Sequence, residues 1–109
     1  MFTYKSMKVE FRTEYLVYLY VTPLEKIKGK HAFTKEIIKQ YKKKIQLLIS
    51  ITRIEQLKQF RGLNFEFLKG DKKGECSIRL NRQYRLLFEQ KSEKEITLIL
   101  INEISKHYE

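Results

Sequence analysis

The sequence predicts an α+β fold in which an antiparallel sheet of about four to five strands carries two to three helices on one face. Two observations predict it. Apolar residues recur at helical spacing over residues 34–60, and four segments with the composition or alternation of strands follow over residues 64–104. Because sequential strands usually lie side by side, a run of strands after the helices favours one sheet with the helices segregated to one face.

The chain before residue 34 gives a mixed signal. Residues 7–11 alternate apolar and polar side chains and predict a first strand with its apolar side chains on one face. Residues 15–21 are aromatic and β-branched, as in a strand, yet they follow Thr13, a suitable helix start, so strand and helix both stay open. Pro23 and Gly29 bound a lysine-rich segment that we interpret as a loop or weak turn.

Two helices are predicted next. The first begins at Thr34, and its apolar side faces away from a row of lysines. Its apolar residues are Ile37, Ile38, Tyr41, Ile45, Leu48 and Ile49. Thr52 and Glu55 have the spacing of a capping box, in which the threonine hydroxyl binds a backbone N–H group and the glutamate reaches back. A short second helix is therefore expected to run to about Phe60 and to end at Gly62.

Four strands are predicted in the remainder of the chain, near residues 64–68, 75–80, 83–90 and 95–104. The last is apolar on both faces, as expected of a central strand. Cys76 is the one cysteine of the chain, which excludes an internal disulfide, and its place in an alternating strand predicts a small buried hydrophobe rather than a nucleophile.

The loop between the second and third of these strands sets the register of a hairpin. A two-residue loop would place an arginine in the core, whereas a three-residue loop, residues 81–83, pairs Ile78 with Leu86 and sets Arg79 opposite Arg85 on the other face. We predict the second register. Two facing guanidinium groups repel each other unless an anion lies between them, either a carboxylate of the chain or a phosphate of a ligand. The candidate carboxylates are those of Glu75, Glu89 and Glu103.

Composition and charge narrow the class of protein. The 109 residues, 1–109, are expected to form a single domain, and 33% charged beside 42% hydrophobic residues predicts a folded chain. A net charge of +10 favours a polyanionic partner, with a solvated basic face as the simpler alternative. Without a membrane span or signal peptide, a cytoplasmic protein with no membrane partner is expected. Without a metal-binding set or phosphate loop, neither a metal nor a cofactor is expected.

Three segments of the second half resemble the HigB-like killer toxins of the RelE/ParE superfamily. These segments are Leu68–Gly74 (LKGDKKG), Ser77–Arg85 (SIRLNRQYR) and Glu103–Tyr108 (EISKHY). The resemblance implies a RelE-like fold and a toxin of a type II toxin–antitoxin pair that enters the ribosomal A site and cleaves messenger RNA there. It also implies a cognate antitoxin, a HigA-like helix-turn-helix protein, through which alone the toxin would reach operator DNA.

The resemblance assigns site residues by position. Lys69 matches the lysine of the family's LKGD motif, Arg85 the arginine that ends its QYR or QWR motif, and His107 with Tyr108 its closing tyrosine–histidine pair. Glu66 stands where some relatives place a histidine, and the closing pair is inverted relative to the commoner Asp-Tyr-His ending. Which group performs which proton transfer therefore stays open.

Metal-free RNA cleavage needs side chains that deprotonate the 2′-hydroxyl, stabilise the charge on the phosphorane and protonate the 5′-oxygen. We assign Arg85 to the scissile phosphate, with support from Arg79 and Lys69, because a guanidinium group can bind two phosphate oxygens at once. His107 is a candidate acid or base, and Glu66 a candidate base.

Further residues are expected to contact RNA. Tyr108 would stack on a base or orient the strand. Contacts to the RNA backbone are expected from Lys42, Lys43, Lys72, Lys73 and Arg82. Two other functions share this fold or charge: a non-enzymatic, ParE-like poison of DNA gyrase, and a non-catalytic RNA-binding module.

Overall fold

Five strands form one sheet, and two α-helices pack against one of its faces, in the computed structural model, which describes residues 8–29, 33–72, 74–93 and 96–106. The strands are β1 (Lys8–Phe11), β2 (Glu66–Phe67), β3 (Glu75–Arg79), β4 (Tyr84–Glu93) and β5 (Ile96–Lys106). The helices are α1 (Glu14–Val21) and α2 (Lys35–Ser50), and short 3-10 turns cover Leu24–Lys26, Ile54–Gln59, Arg61–Leu63 and Gly70–Lys72. The predicted α+β class is confirmed.

The sheet is mixed rather than wholly antiparallel, which corrects one part of the predicted fold. Its order is β1-β5-β4-β3-β2, and only β1, which pairs with β5, is parallel to its neighbour. Apolar alternation predicts which face of a strand is buried but not the direction in which the strand runs, so β1 was open to this error. The central place of β5 agrees with its apolar sequence. Met7, the first residue of the predicted strand, lies outside the described residues.

The segment over residues 15–21 is a helix, which settles the choice left open by its composition. Thr13 caps α1, because its Oγ1 accepts a hydrogen bond from the Leu16 N–H group at 3.2 Å. Leu16 and Leu19 are buried, and the Tyr41 hydroxyl of α2 donates to the Leu16 carbonyl at 2.7 Å. Packing on α2 thus overrides the strand propensity of the aromatic and β-branched residues.

The long helix α2 has the predicted start and the predicted buried side. Thr34 Oγ1 accepts from the Ile37 N–H group at 3.3 Å. The predicted apolar residues are buried, except Ile49, which is partly buried against the core. No helix among the described residues has the length and apolar content needed to cross a membrane.

The short helix after α2 is of the 3-10 type, and its start differs from the predicted capping box. Gln56, not Glu55, reaches back: its Oε1 accepts the backbone N–H groups of Thr52 at 2.7 Å and Arg53 at 3.0 Å. The helix begins one residue later than predicted, which moves the reaching side chain by one position.

Asn64, rather than Gly62, ends the turn that follows. Gly62 lies inside the turn Arg61–Leu63, whereas Asn64 has φ 45° and ψ 53°. This left-handed conformation is one that asparagine tolerates better than most residues with a side chain.

The two faces of the sheet differ in what covers them. Cys76, Ile78, Leu86 and Phe88 on β3 and β4 point toward the helices and belong to the core. Successive strand residues point to opposite sides, so the intervening residues lie on the face without helices, here named the open face. Its residues around the hairpin are Glu66, Ser77, Arg79, Arg85, Leu87, Glu103 and Ser105.

Cys76 is the small buried hydrophobe that its strand position predicted. Its side chain is 3% exposed. Burial raises the pKa of its thiol to about 11, and the neighbouring Glu75 carboxylate adds to the rise. The thiol is therefore protonated at neutral pH.

Candidate active site

The hairpin of β3 and β4 has the predicted register, with Arg79 directly opposite Arg85. Its three-residue loop is closed by Asn81, whose Oδ1 accepts the backbone N–H groups of Gln83 and Tyr84, each at 2.8 Å. An asparagine side chain that binds the backbone two residues on is a typical turn-former. Both arginines consequently lie on the open face of the sheet.

Arg85 is held inside the protein, with only 8% of its surface exposed. Its Nε–H donates to the Ser77 Oγ at 2.8 Å, and its Nη2 donates to the Asn64 carbonyl oxygen. Both acceptors are neutral oxygens, so they orient the guanidinium group without neutralising its charge. Within the described residues, no carboxylate oxygen lies within 4.0 Å of a nitrogen of either Arg85 or Arg79.

The second arginine is directed elsewhere. Arg79 Nε donates to the Asn81 carbonyl oxygen at 3.1 Å, which turns this guanidinium toward the hairpin loop. Arg85 instead reaches across β3 to Ser77 and Asn64. Divergence of the two side chains reduces the repulsion expected of facing cations, but both charges stay on the same side of the hairpin.

Among the described residues, the carboxylates predicted as internal partners of the arginines do not form ion pairs with them. Glu89 lies 3.4 Å from both Arg12 and Lys91. Glu103 pairs with the lysine of the β2–β3 turn at 3.8 Å. Glu75 Oε2 is buried without a hydrogen-bond partner in the described part of the chain. Internal neutralisation of the arginine pair is thus not found among the described residues.

Glu66 lies one strand away on the same side. It pairs with Ser77 between β2 and β3, and residues directly opposite each other share a face. The side chain of Glu66 is exposed. A carboxylate and a guanidinium group with no ion pair between them therefore border one surface, an arrangement suited to holding an anion beside a proton acceptor.

The turn Gly70–Lys72 folds over the open face. Lys72 Nζ lies 3.8 Å from Glu103 Oε1, which brings the turn from the edge of the sheet to β5. Leu87 pairs with Glu103 and is only 5% exposed although it is outside the core cluster, so this part of the open face is covered. Lys69 directly precedes the turn and is exposed.

Two of the predicted RNA-binding lysines lie on the side of the helices. Lys42 Nζ donates to the Tyr20 carbonyl at 2.8 Å and to the Thr22 carbonyl, so it caps the end of α1, and burial lowers its pKa. Its ammonium group is engaged by the protein, and its contact with RNA stays a prediction. Lys43 is exposed on α2, away from Arg85, and Arg82 is exposed at the tip of the hairpin.

Three predicted site residues, Lys73, His107 and Tyr108, lie outside the described residues. The strand that leads toward the last two is described to Lys106, and its Ser105 pairs with Arg85. In the described ranges, no group of three or more His, Cys, Asp or Glu residues is arranged to hold a metal ion.

Ser77 and Asn64 were missed by reasoning from the sequence. Ser77 is fully buried, and its only sequence signal is a small polar residue on the same face as Arg79 and Arg85 in the predicted register. Asn64 acts through its backbone carbonyl, for which no side-chain pattern gives a signal.

Known proteins resemble this chain in sequence and in fold. Residues 9–102 match the model of a family described as the RelE-like toxin of the type II toxin–antitoxin system HigB. Toxin HigB-1 from Vibrio cholerae is 34% identical over 83 residues, which cover 76% of this chain and 83% of that protein. A solved structure, the YoeB/ParE toxin from Agrobacterium tumefaciens, has a TM-score of 0.54 at 15% identity and covers 94% of this chain and 100% of its own, a likeness of fold.

Proposed function

The chain belongs to the HigB-like toxins, RelE-like toxins of type II toxin–antitoxin systems, and we propose that it is a ribosome-dependent endoribonuclease that cleaves messenger RNA in the A site. The observation that supports this most is the environment of Arg85, a buried guanidinium group held by neutral oxygens beside a second arginine. A buried charge without a counter-charge is costly, and a bound anion offsets that cost. A phosphodiester offers such an anion with two oxygens for one guanidinium fork.

In the proposed reaction, the 2′-oxygen attacks the adjacent phosphorus, the bond from phosphorus to the 5′-oxygen breaks, and a 2′,3′-cyclic phosphate and a 5′-hydroxyl result. Arg85 binds the scissile phosphate and stabilises the added charge on the phosphorane, and Arg79 and Lys69 contribute further positive charge. Glu66 is the proposed base, because it is exposed on the same face as Arg85.

The leaving 5′-oxygen must receive a proton, and we assign this step to His107. We assign Tyr108 to stacking on a base or orienting the messenger. Neither residue lies within the described part of the chain, so both roles rest on the family motif. Lys72, Lys73 and Arg82 are proposed to bind the RNA backbone, and Lys43 to contact ribosomal RNA. A ribosomal substrate would place the toxin in the cytoplasm.

As a member of a toxin–antitoxin family the protein has a cognate antitoxin. We propose that this partner is a HigA-like helix-turn-helix protein and that the toxin reaches operator DNA only through it. The neighbouring reading frame tests this directly, since a small DNA-binding protein encoded there supports the proposal and its absence counts against it.

Replacement of Arg85 tests the enzymatic assignment. Arg85→Ala should abolish messenger cleavage in a primer-extension assay on translating ribosomes, because one positioned donor to the reacting phosphate typically contributes about a hundredfold or more to rate. Folding, followed by circular dichroism, and copurification with the antitoxin should persist. Lys39→Ala, which removes an exposed cation on the helix side of the molecule, should cleave at close to the wild-type rate.

Three outcomes would contradict the proposal. A fully active Arg85→Ala protein excludes Arg85 as the phosphate-binding residue. Inhibition of DNA gyrase in a supercoiling assay, without any cut in the messenger, would favour the ParE-like alternative. Salt-sensitive RNA binding without any product would favour a non-catalytic binding module.

A further inference from the structure

Ser77 is a fully buried polar residue on the open face, and its hydroxyl group touches Arg85 directly. Its exposure is 0%, and its Oγ accepts the Arg85 Nε–H at 2.8 Å. The neighbouring acceptor is the carbonyl oxygen of Asn64, which binds Nη2. These two acceptors come from different segments, residue 64 before β2 and residue 77 in β3, so the fold brings them to Arg85 from two directions.

We propose that Ser77 and Asn64 are positioning residues that fix the Arg85 guanidinium so that its outer edge, formed by Nη1 and Nη2, faces the phosphodiester. This inference rests on the proposed function. A guanidinium group has five N–H donors, and the two acceptors engage one on Nε and one on Nη2. The remaining donors are the two of Nη1 and the second of Nη2, and one donor from each of these nitrogens forms the fork that binds two oxygens of a phosphate.

The Asn64 backbone conformation aims its carbonyl at Arg85. With φ 45° and ψ 53°, Asn64 is in the left-handed region, the one such residue other than glycine among the described residues. Glycine adopts this conformation readily, whereas a β-branched residue is strongly disfavoured there. A glycine at position 64 should therefore keep the carbonyl group in place, and a valine should move it. Both substitutions remove the asparagine side chain, so the two variants differ in backbone conformation.

A positioning role and a purely structural role predict different kinetics. The phosphorane needs its donors at defined places, so a guanidinium that can swing loses rate in the chemical step. Binding to the ribosome is spread over many cations and depends little on the aim of one of them. Loss of the Ser77 hydroxyl should thus lower the single-turnover cleavage rate and leave ribosome affinity nearly unchanged.

Two matched pairs of variants test the proposal. Ser77→Thr and Ser77→Val have the same shape and differ in the hydroxyl, and Asn64→Gly and Asn64→Val differ in access to the left-handed region. Among variants that remain folded by thermal melting, Ser77→Val, Ser77→Ala and Asn64→Val should cleave about 10- to 100-fold more slowly than wild type, with ribosome affinity within about twofold. Ser77→Thr and Asn64→Gly should stay within about threefold of the wild-type rate.

A second measurement reads Arg85 itself and needs no cleavage. In ¹⁵N-labelled protein, the Arg85 Nε–H signal, assigned by its disappearance in Arg85→Lys, should exchange slowly with water in wild type and about tenfold or more faster in Ser77→Ala. Titration with inorganic phosphate should shift the Nη signals of Arg85 in wild type and shift them less in Ser77→Ala.

The two proposals fail in distinguishable ways. If wild-type protein cuts no messenger on ribosomes, the proposed function is wrong, while the exchange and phosphate measurements still judge the role of Ser77. If wild type cleaves and Ser77→Ala cleaves equally well, or if Thr and Val at position 77 behave alike, the positioning role is wrong. Unchanged Nε–H exchange in Ser77→Ala overturns it as well.

Discussion

At the scale of single residues, Arg85 combines burial with a charge that neutral partners do not cancel. Arginine is rarely buried without an acidic partner, because desolvation of an ion costs several kcal/mol. The dipoles of the Ser77 hydroxyl and the Asn64 carbonyl offset part of that cost. We propose that an anionic ligand, such as a phosphate of RNA, offsets the part that remains.

The buried thiol of Cys76 should make the stability of the fold depend on pH in the alkaline range. The pKa of its thiol is raised to about 11 by burial, whereas in the unfolded chain the thiol has its ordinary pKa of 9.0. The folded state therefore holds this proton more tightly, so the stability that Cys76 contributes is complete below about pH 9 and is lost as the pH rises toward 11. Native protein at pH 8 should react with a thiol reagent far more slowly than protein in denaturant.

The measurement is the rate of alkylation of Cys76 with and without urea, and Cys76→Ser is the control for reaction elsewhere. Equal rates in the two conditions would show that the thiol is accessible and would contradict its place in the core.

At the scale of elements, the hairpin was the most predictable part of the structure and α1 the least. In the hairpin, loop length and the alternation of core residues act together, and only one register keeps an arginine out of the core. In α1, by contrast, residues with strand propensity form a helix because α1 packs against α2 and the Tyr41 hydroxyl of α2 donates a hydrogen bond to it. Such long-range contacts have no local signature, and the same reason explains the parallel pairing of β1 with β5.

The side chain of Lys42 on α2 links the two helices by binding the end of α1. Lys42 binds two carbonyl oxygens at the end of α1, whereas its neighbour Lys43 is exposed. Lys42→Met should lower the free energy of unfolding by about 1–2 kcal/mol, because it leaves these carbonyls without their charged donor. Lys43→Met removes the same charge and should change stability by less than about 0.5 kcal/mol. Urea unfolding followed by circular dichroism compares the two, and equal stabilities would refute the capping role of Lys42.

At the scale of the whole molecule, the two faces of the sheet differ: one forms the core and the other carries the residues of the proposed site. One face packs on the helices around the core, and the other carries Arg79, Arg85 and Glu66, with Lys72 reaching Glu103 on the same face. The sequence alone placed the two arginines on one face, because parity along a strand is a local property. It could not show the burial of Arg85 or its hydrogen bond to the Asn64 carbonyl, which are products of tertiary packing.

If RNA binds on the open face, the exposed cations around that face should set how the affinity depends on salt. Lys69, Lys72 and Arg82 are exposed near the open face, and the ion pair of Lys72 with Glu103 is a surface contact of little strength. Each cation that neutralises a phosphate of single-stranded RNA adds about 0.7 to the slope of log K against log salt, so a triple Gln variant at these positions should lower the slope by about 2.

A matched variant shows whether the effect belongs to one face or to the net charge of +10. Lys26, Lys35 and Lys39 are exposed on the helix side, and their replacement by Gln removes the same charge from the other half of the molecule. Fluorescence anisotropy with a short RNA oligonucleotide over a range of salt concentrations compares the two triple variants. The helix-side variant should keep a slope close to wild type, because its cations do not border the bound strand. Equal losses of slope would mean that RNA binds through the net charge of the protein and not through one face. A cleavage site on the open face would then lack its electrostatic basis.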